Sequence, residues 1–173
     1  VSVVLFDDRS DVICDRVGIR EVKPLTEREY YVCGCTALLD AVDGAVRHIS
    51  KVQKALPAHH RAKSVMFVIT TDGYENASRK YSYKKVKKLI EAKRKEGWEF
   101  VFIGANIDSA KEASHLGIDV DNAVDYCCDA AGTEALFESV AQASCCVRSG
   151  KSLRAGSWKR PIESDRAARR RAR

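Results

Sequence analysis

Short runs of consecutive apolar residues alternate along this chain with longer segments in which apolar residues recur every three or four positions. The short runs occupy residues 1–6, 64–71 and 100–104. We predict a β-strand at each of them, because β-branched and aromatic residues dominate all three. The run at 64–71 is apolar almost throughout, which is typical of a strand buried on both faces, and we expect it to lie centrally in a parallel sheet.

The remaining pattern predicts a hairpin, an edge strand and helices. Polar residues 7–10 separate the first strand from Val12 and Ile13, which indicates a β-hairpin, and residues 124–127 indicate an edge strand. Segments with helical spacing predict four helices, at residues 38–56, 83–97, 109–117 and 132–147. Buried strands that alternate with amphipathic helices predict a doubly wound α/β fold, with a mostly parallel sheet and helices on both faces.

Positive charge is concentrated at the C-terminal end. The net charge is +6, but ten Lys and Arg residues follow residue 147, where only Glu163 and Asp165 oppose them. The rest of the chain is therefore slightly acidic, which argues against a basic nucleic-acid-binding domain. A length of 173 residues suffices for one core. We predict one α/β domain at residues 1–147 and a basic, flexible tail at residues 148–173.

The cysteines and the absence of long apolar stretches bear on the compartment. The seven cysteines, an odd number with two adjacent pairs, form a poor disulfide framework and lack the spacing of a usual zinc site. We interpret them as small thiols in a reducing environment. The sequence has no apolar stretch of membrane-spanning length and no leader pattern before the first strand. These features predict a cytoplasmic location without membrane association.

Two polar residues stand at positions where open α/β sheets bind ligands, beyond the carboxyl ends of strands. A glycine turn presents Thr36 at the start of a helix, and Asp72 ends the strand at 64–71. A hydroxyl and a carboxylate are hard oxygen ligands suited to Mg²⁺. The alternative is structural, with Thr36 capping its helix and Asp72 closing a turn, since both are common roles of these residue types.

The sequences around these two residues are more specific than the pair itself. GCTALLDA at residues 34–41, followed after a long helix by FVITTDGYEN at residues 67–76, resembles the second and third metal-site segments of von Willebrand factor type A (VWA) domains of bacterial type. FIGANIDSAKEASHLGI at residues 102–118 is similar to the late strand and helix of that family. The resemblance in order and predicted structure extends over residues 1–147.

The resemblance implies a doubly wound sheet whose strand-end cleft, the metal-ion-dependent adhesion site, holds Mg²⁺ and completes its shell with an acidic residue of a protein partner. Carried over to this chain, it makes Thr36 the ligating threonine and Asp72 the aspartate in or next to the metal shell. It implies a binding module rather than an enzyme. The residues beside the two ligands would form the partner-binding rim: Gly34, Cys35, Gly73, Tyr74, Glu75 and Asn76.

The chain departs from the family at its N-terminal side. The family's first metal segment, an Asp-x-Ser-x-Ser motif after the central strand, does not occur in this sequence, and residues 1–6 correspond to the family's second strand. The chain also starts with Val1 and has a single methionine, Met66. We therefore expect that a strand, a helix and the metal loop are missing, and that Mg²⁺ binding is weak or absent without them. Unpaired strand edges would then lower the stability of this chain alone.

Two other functions agree with parts of the sequence. Asp7 and Asp8 at the end of one strand, with threonines at the end of another, are compatible with a Mg²⁺-dependent receiver or phosphotransferase, although the phospho-accepting Asp and the Lys of a receiver are missing. The Arg-rich residues 166–173 would contact RNA or DNA through phosphates in a salt-dependent manner. Since no nucleophile motif or phosphate-binding glycine loop occurs, we predict that the chain is not an enzyme.

Overall fold

The computed structural model describes residues 1–26, 28 and 34–171. The chain forms two compact units: unit 1 comprises Val1–Leu56 and Glu75–Ser82, and unit 2 comprises Pro57–Tyr74 and Tyr83–Arg173. Cys33 and Arg173, which contribute to the cysteine and charge patterns above, lie outside the described residues. The described part of the chain has no helix that is both long and apolar enough to span a membrane.

Unit 1 begins with a β-hairpin. Strand β1 (Val3–Phe6) pairs with β2 (Ser10–Cys14) in antiparallel orientation. In the turn between them, the Asp7 carboxylate accepts a hydrogen bond from Arg9 N at 2.7 Å, a common arrangement for Asp in a tight turn. The predicted hairpin is therefore confirmed. The two strands form a two-stranded sheet of their own, so β1 is not a strand of the parallel sheet described below.

Helix α1 (Leu38–Ala55) completes the regular structure described in unit 1. Its apolar residues follow helical spacing, and the buried ones include Leu38, Leu39, Ala41, Val42 and Val46. The helix ends close to the predicted position because Pro57 has no N–H and restricts the residue before it to extended conformations. Leu56 accordingly has φ −78° and ψ 142°.

Unit 2 contains a three-stranded parallel sheet. Its strands lie in the order β3 (Met66–Thr71), β4 (Glu99–Gly104), β5 (Ala123–Asp125). Four helices accompany them: α2 (Tyr83–Lys95), α3 (Ser109–Leu116), α4 (Ala130–Arg148) and α5 (Arg160–Arg171). The first two helices connect the strands, and the last two follow β5. A parallel sheet flanked by helices confirms the predicted α/β class.

The central strand of this sheet is β4 rather than β3. Strand β4 pairs with a neighbour on each side, and its residues 100–104 are all buried. Among the described strands β3 pairs only with β4, and its residues Met66, Phe67 and Val68 are only partly buried. The expectation that the strand at 64–71 is central is therefore wrong. A continuous apolar run indicates burial of both faces, but it does not indicate hydrogen bonding along both edges.

Helices cover both faces of the sheet in unit 2. Val101 and Ile103 belong to a core cluster with residues of α4 and of the C-terminal segment. Alternate residues of a strand face opposite sides, so Phe100 and Phe102 face the other side, where α2 and α3 contact β4. All four side chains are at most 1% exposed. The predicted arrangement of helices on both faces is present in this unit.

Helix α4 begins two residues earlier than predicted. Its N-cap is Asp129, whose carboxylate accepts a hydrogen bond from Gly132 N at 2.9 Å. A Cβ at Gly132 would lie 1.9 Å from the carbonyl oxygen of Cys127, so only glycine fits there without a shift of the backbone. Gly132 therefore marks a close approach of two backbone segments inside the first helical turn, and the start signal is the Asp residue before it.

The C-terminal segment is folded onto the sheet of unit 2. Two short 3₁₀ turns, Leu153–Ala155 and Ser157–Lys159, lead into α5. Leu153, Trp158 and Ile162 are each 1% exposed and belong to the core cluster. The structure thus differs from the flexible tail predicted at residues 148–173. Three apolar residues, widely spaced in an Arg-rich segment, anchor it on the core.

Arg169 of α5 forms an ion pair with Asp129 at the start of α4. Its guanidinium pairs with Asp129 at 2.6 Å and with Asp165 at 2.8 Å. The hydrogen bonds from Arg169, and after them the N–H of Gly132, lower the pKa of Asp129. A carboxylate with a lowered pKa stabilises the fold above its unfolded pKa, about 3.9 for Asp. That contribution is lost as the pH falls through the lower folded value.

We expect Arg169→Met to lower the melting temperature at neutral pH and low salt, because two carboxylates lose their partner. The loss should shrink at high salt, which screens exposed charges, and in acid, where the carboxylates are protonated. Thermal unfolding at two salt concentrations and two pH values measures it. Arg170→Met, at an exposed position of the same helix, is the matched control. A loss that is the same under all conditions would contradict an ionic role for Arg169.

Candidate functional site

The loop that contains Thr36 precedes α1 and is held by residues of the second segment of unit 1. Thr36 N donates a hydrogen bond to Asn76 Oδ1 at 2.8 Å. Thr36 O accepts hydrogen bonds from Asn76 N at 3.0 Å and from Ala77 N at 3.3 Å. Both backbone polar groups of Thr36 are therefore engaged by residues that lie far away in the sequence.

Glu75 supplies the first of two carboxylates that fix this loop. Its Oε1 accepts hydrogen bonds from Ala77 N at 3.0 Å and from Ser78 N at 2.7 Å. Its Oε2 accepts from Leu39 N at 2.9 Å and from Ser78 Oγ at 2.7 Å. Leu39 lies in the first turn of α1, where backbone N–H groups have no partner within the helix and negative charge is favourable. Glu75 therefore ties the start of the helix to its own loop.

Asp40 supplies the second carboxylate. Its two oxygens accept hydrogen bonds, each at 3.0 Å, from three successive backbone N–H groups, those of Arg79, Lys80 and Tyr81. In the other direction, Asp40 N donates to Ser78 Oγ at 3.1 Å. The Ser78 hydroxyl thus joins the two acidic residues, because it donates to Glu75 and accepts from Asp40. We refer to Asp40, Glu75, Asn76 and Ser78 together as the loop clamp.

The environment of Asp40 keeps its carboxyl group charged. Burial by itself raises the pKa of Asp40, because it disfavours the charged form. The three backbone donors and the positive charge of Lys80 outweigh burial, so the pKa is lowered overall. The carboxylate is therefore ionised at neutral pH, as its three hydrogen-bond donors require.

The side chain of Thr36 is not part of the loop clamp. The N-cap of α1 is Ala37, which makes no side-chain capping bond. The structural alternative in which Thr36 caps its helix is therefore wrong. Thr36 is half-buried, and its hydroxyl makes no hydrogen bond to any other residue that the structure describes. The loop clamp fixes the backbone of Thr36 and leaves this oxygen available to a ligand.

Asp72 follows β3 in unit 2 and is exposed. Its neighbour closes the turn after the strand, since Thr71 Oγ1 donates to Gly73 O at 2.9 Å and accepts from Gly73 N at 3.3 Å. The alternative in which Asp72 closes this turn is therefore wrong as well. Within the described ranges, the Asp72 carboxylate makes no hydrogen bond and no ion pair, so its oxygens face solvent.

The residues predicted to form the partner-binding rim have different environments. Glu75 and Asn76 belong to the loop clamp, so their side-chain oxygens are engaged by backbone N–H groups of unit 1. Tyr74 in unit 2 is 52% exposed, and its hydroxyl accepts a hydrogen bond from Asp108 N at 3.1 Å. The other three are small residues in exposed or half-buried positions: Gly34, Cys35 and Gly73.

Asp40 and Ser78 were not predicted from the sequence to be parts of this arrangement. Asp40 lies within GCTALLDA, and Ser78 follows FVITTDGYEN by two residues. One available signal was the acidic residue in the first turn of a predicted helix. Its partners are backbone N–H groups 39 to 41 residues away, and the types of those residues give no indication of this role.

The two predicted metal ligands agree with Mg²⁺ in chemical kind but not in number. A hydroxyl and a carboxylate are hard oxygen donors. Thr36 belongs to unit 1 and Asp72 to unit 2. Among the residues that the structure describes, no group of three or more His, Cys, Asp or Glu side chains could hold a metal ion. These donors therefore do not by themselves complete a Mg²⁺ shell.

No protein-family model, curated protein or solved structure matches this chain. A shared α/β fold does not specify an activity. The loops that carry Thr36 and Asp72 are therefore the basis for the function proposed next.

Proposed function

We propose that this chain is a protein-binding module that uses the Thr36 loop and the Asp72 loop, with Mg²⁺ assisting the contact. One observation carries the proposal. The loop clamp fixes the backbone of Thr36 while the Thr36 hydroxyl has no partner among the described residues. A ligand group carried by a fixed backbone segment binds at a lower entropic cost than one carried by a mobile loop.

Asp72 adds a solvent-facing carboxylate at the carboxyl end of a parallel strand, where open α/β sheets bind ligands. The order of the segments around Thr36 and Asp72, which resembles that of VWA domains, supports the same function. The resemblance implies that a threonine, an aspartate and water hold Mg²⁺ and that an acidic residue of the partner completes the shell.

Nucleic-acid contact through the C-terminal helix has less support. Arg166 lies 3.4 Å from the carboxylate of Asp125, and Arg169 pairs with Asp129 and Asp165. These ion pairs neutralise part of the positive charge that phosphate binding requires. Arg166 and Arg169 therefore serve contacts within unit 2.

Titration with Mn²⁺, a paramagnetic substitute for Mg²⁺, tests the metal part of the proposal. We expect selective broadening of amide NMR signals beside Thr36 and Asp72, with competition by Mg²⁺. Thr36→Val and Asp72→Asn should each weaken Mn²⁺ binding on the order of tenfold or more, because each removes one of few protein ligands. Glu134→Gln, which changes an exposed carboxylate outside both loops, is the matched control. Equal broadening in all four proteins would exclude the metal site.

A short acetylated Gly-Glu-Gly peptide tests the partner-binding part. The peptide should bind more tightly in Mg²⁺ than in EDTA, and Mg²⁺ should bind more tightly when the peptide is present. A double-mutant cycle of T36V and D72N measures whether the two side chains serve one ligand, because independent effects add. Peptide binding that is equal in both buffers and unchanged in Asp72→Asn would contradict the proposal.

A further inference from the structure

The solvent-facing side of α2 in unit 2 carries three lysines that no neighbouring group engages. Lys84, Lys85 and Lys88 are exposed, and none of them makes a hydrogen bond or an ion pair with the residues that the structure describes. Residues three and four positions apart are neighbours on a helix surface, so Lys88 lies next to both of the others. We refer to these three residues as the lysine patch.

The other cations of α2 lie beside oxygen atoms of unit 2. Three of them make a direct contact: Lys87 with Ser114 O at 3.2 Å, Lys93 with Glu96 at 2.7 Å, and Arg94 with Asp119 at 3.2 Å. Lys95 lines a cavity together with Glu91, the acidic residue of the helix, and Glu99. The lysine patch therefore differs from the rest of the helix, because its charge is free for a contact with another molecule.

The position of the lysine patch is unfavourable for α2 itself. Lys84 and Lys85 lie in the first turn, where backbone N–H groups already carry partial positive charge, and this turn has no acidic residue. The other four described α-helices each have an Asp or Glu in the first turn or at the N-cap. Lysines that are neighbours on a helix also repel each other. Charges that oppose the stability of their own helix are expected where they serve a function.

The charge of the whole unit favours an anionic partner. Unit 2 has 20 Lys and Arg residues and 14 Asp and Glu residues, whereas unit 1 has ten of each. The excess arises because the Arg-rich C-terminal segment is folded into unit 2. An excess of positive charge attracts anions over distances longer than a single contact. The lysine patch is thus an exposed cationic surface on the positively charged unit.

The composition of this face indicates the class of anion. The exposed residues of α2 are the lysine patch, Ala92 and Lys95. A helix that binds a membrane surface also presents bulky apolar residues that enter the bilayer. A surface that binds single-stranded nucleic acid presents aromatic residues on which bases stack. The exposed face of α2 has neither, and lysine ammonium groups contact phosphates as point charges without reading bases.

We propose that the lysine patch binds the phosphate backbone of a nucleic-acid duplex, without selecting its base sequence. Each lysine neutralises a phosphate and releases the counterions condensed on it, so the affinity falls steeply as the salt concentration rises. The contact involves neither Thr36 nor Asp72. It is therefore independent of the function proposed above, and either proposal can fail without the other.

Acetylation of lysines in the unaltered full chain tests the proposal, because a bound duplex shields the lysines that it contacts. Peptide mass spectrometry measures the acetylation rate at each lysine at low salt, with and without a short DNA or RNA duplex. We expect a duplex to slow acetylation of the lysine patch severalfold and that of Lys95, an exposed lysine of the same helix, much less. Shielding of the lysine patch that is no greater than that of Lys95 with both duplexes would overturn the proposal.

A triple variant with glutamine at all three positions of the lysine patch measures its contribution to binding. The slope of log affinity against log salt concentration should become less steep by about 2–3, since each phosphate contact contributes about 0.9. The melting temperature should not fall, because unfavourable charges leave the first turn. The matched control combines Lys51→Gln, Lys95→Gln and Lys151→Gln, which remove the same charge from other exposed positions. Equal changes of slope in the two triple variants would overturn the role of the lysine patch.

Two other anions test the class of partner. Polyglutamate represents an acidic protein segment, and vesicles that contain phosphatidylserine represent an anionic membrane. We expect the lysine patch to contribute less to binding of either one than to binding of a duplex. Binding of polyglutamate or of the vesicles that depends on the lysine patch as strongly as duplex binding does would overturn the assignment to a nucleic acid.

Discussion

Deletion of residues 151–173 is expected to unfold unit 2. The deletion removes Leu153, Trp158 and Ile162, each 1% exposed, from the core cluster on one face of the parallel sheet. Replacement of such side chains by Ala costs at least about 2 kcal/mol for Leu or Ile and about 3 kcal/mol for Trp, or roughly 7 kcal/mol together. The total stability of a typical domain is only about 5–15 kcal/mol. Loss of cooperative unfolding and of amide protection in β4 would be the expected readouts.

Single substitutions at Trp158 measure the largest contribution within that segment. We expect Trp158→Ala to lower the free energy of unfolding by about 3–5 kcal/mol in urea titrations. Trp158→Phe should cost less than half as much, because the ring refills most of the space. Trp158→Phe also removes the indole Nε1–H, a buried donor that has no hydrogen-bond partner in the described structure, which further reduces the cost of this substitution. Arg170→Ala, at an exposed position of α5, is the control.

An unfolding midpoint that is unchanged by the deletion would contradict the position of the C-terminal segment in the core.

The expected unfolding of the truncated chain also affects tests of nucleic-acid binding. A truncated chain that has lost its fold would lose any binding for reasons unrelated to charge. Substitution of the exposed Arg170 and Arg171 by Gln changes the charge while the anchoring residues stay in place, and it is therefore the better test of a phosphate contact.

Disruption of the loop clamp is expected to cause the second-largest loss of stability, in the loop that contains Thr36. Glu75→Gln replaces a carboxylate oxygen by an amide nitrogen, and the N–H of Leu39 then faces a donor instead of an acceptor. Loss of a hydrogen bond to a charged group, together with a donor left without a partner, costs about 2–3 kcal/mol. Amide hydrogen exchange at Leu39, Ala77 and Ser78 should become roughly 30-fold to 150-fold faster, since about 1.4 kcal/mol corresponds to a factor of ten.

Asp40→Asn should loosen the same loop, with a pH dependence that identifies the carboxylate. The pKa of Asp40 is lowered in the folded chain, so its stabilisation is fully present above the unfolded pKa of about 3.9. It is lost as the pH falls through the folded value. The free energy of unfolding of Asp40→Asn should therefore differ most from that of the unaltered chain at neutral pH, and the difference should shrink as the pH falls through the lowered pKa of Asp40.

Matched variants separate the loop clamp from general electrostatic effects. Asp8→Asn, at an exposed site in the same unit, should leave exchange at Ala77 and Ser78 unchanged. The variant with both D40N and E75Q should lose less than the sum of the single effects, because Ser78 joins the two acidic residues. Slow exchange at these amides in Glu75→Gln would contradict the structural role of the loop clamp.

Mn²⁺ binding by variants of the loop clamp is a second test of the proposed function. A variant that loosens the loop retains the Thr36 hydroxyl but no longer fixes the backbone that carries it. Glu75→Gln should therefore weaken Mn²⁺ binding near Thr36 less than Thr36→Val does, because the ligand is retained and only its positioning is lost. Unchanged Mn²⁺ binding in Glu75→Gln, with fast amide exchange, would show that the fixed loop is not needed for the metal.

The local pattern of the sequence determined helices α1 to α4, the strands and the α/β class. Apolar residues with a period near 3.6 placed α1 within one residue of its observed end, and continuous β-branched runs located β3 and β4. Thr36 and Asp72 were identified from their places after a glycine turn and a buried strand. These features depend on residues that are close in the sequence, and for that reason composition and spacing reveal them.

Only the tertiary structure decided which edges pair, what anchors the C-terminal segment and what fixes the Thr36 loop. Strand β3 has the apolar run of a central strand, but its neighbours are set by the path of the whole chain. The core positions of Trp158 and Ile162 depend on contacts with β4 and α4. The loop clamp joins residues 36 to 41 positions apart through backbone N–H groups, which every residue except proline carries. Residue types do not indicate which backbone N–H groups will serve as donors, so the sequence could not predict the loop clamp. The sequence pointed to Thr36 and Asp72, and only the fold showed what fixes the backbone of Thr36.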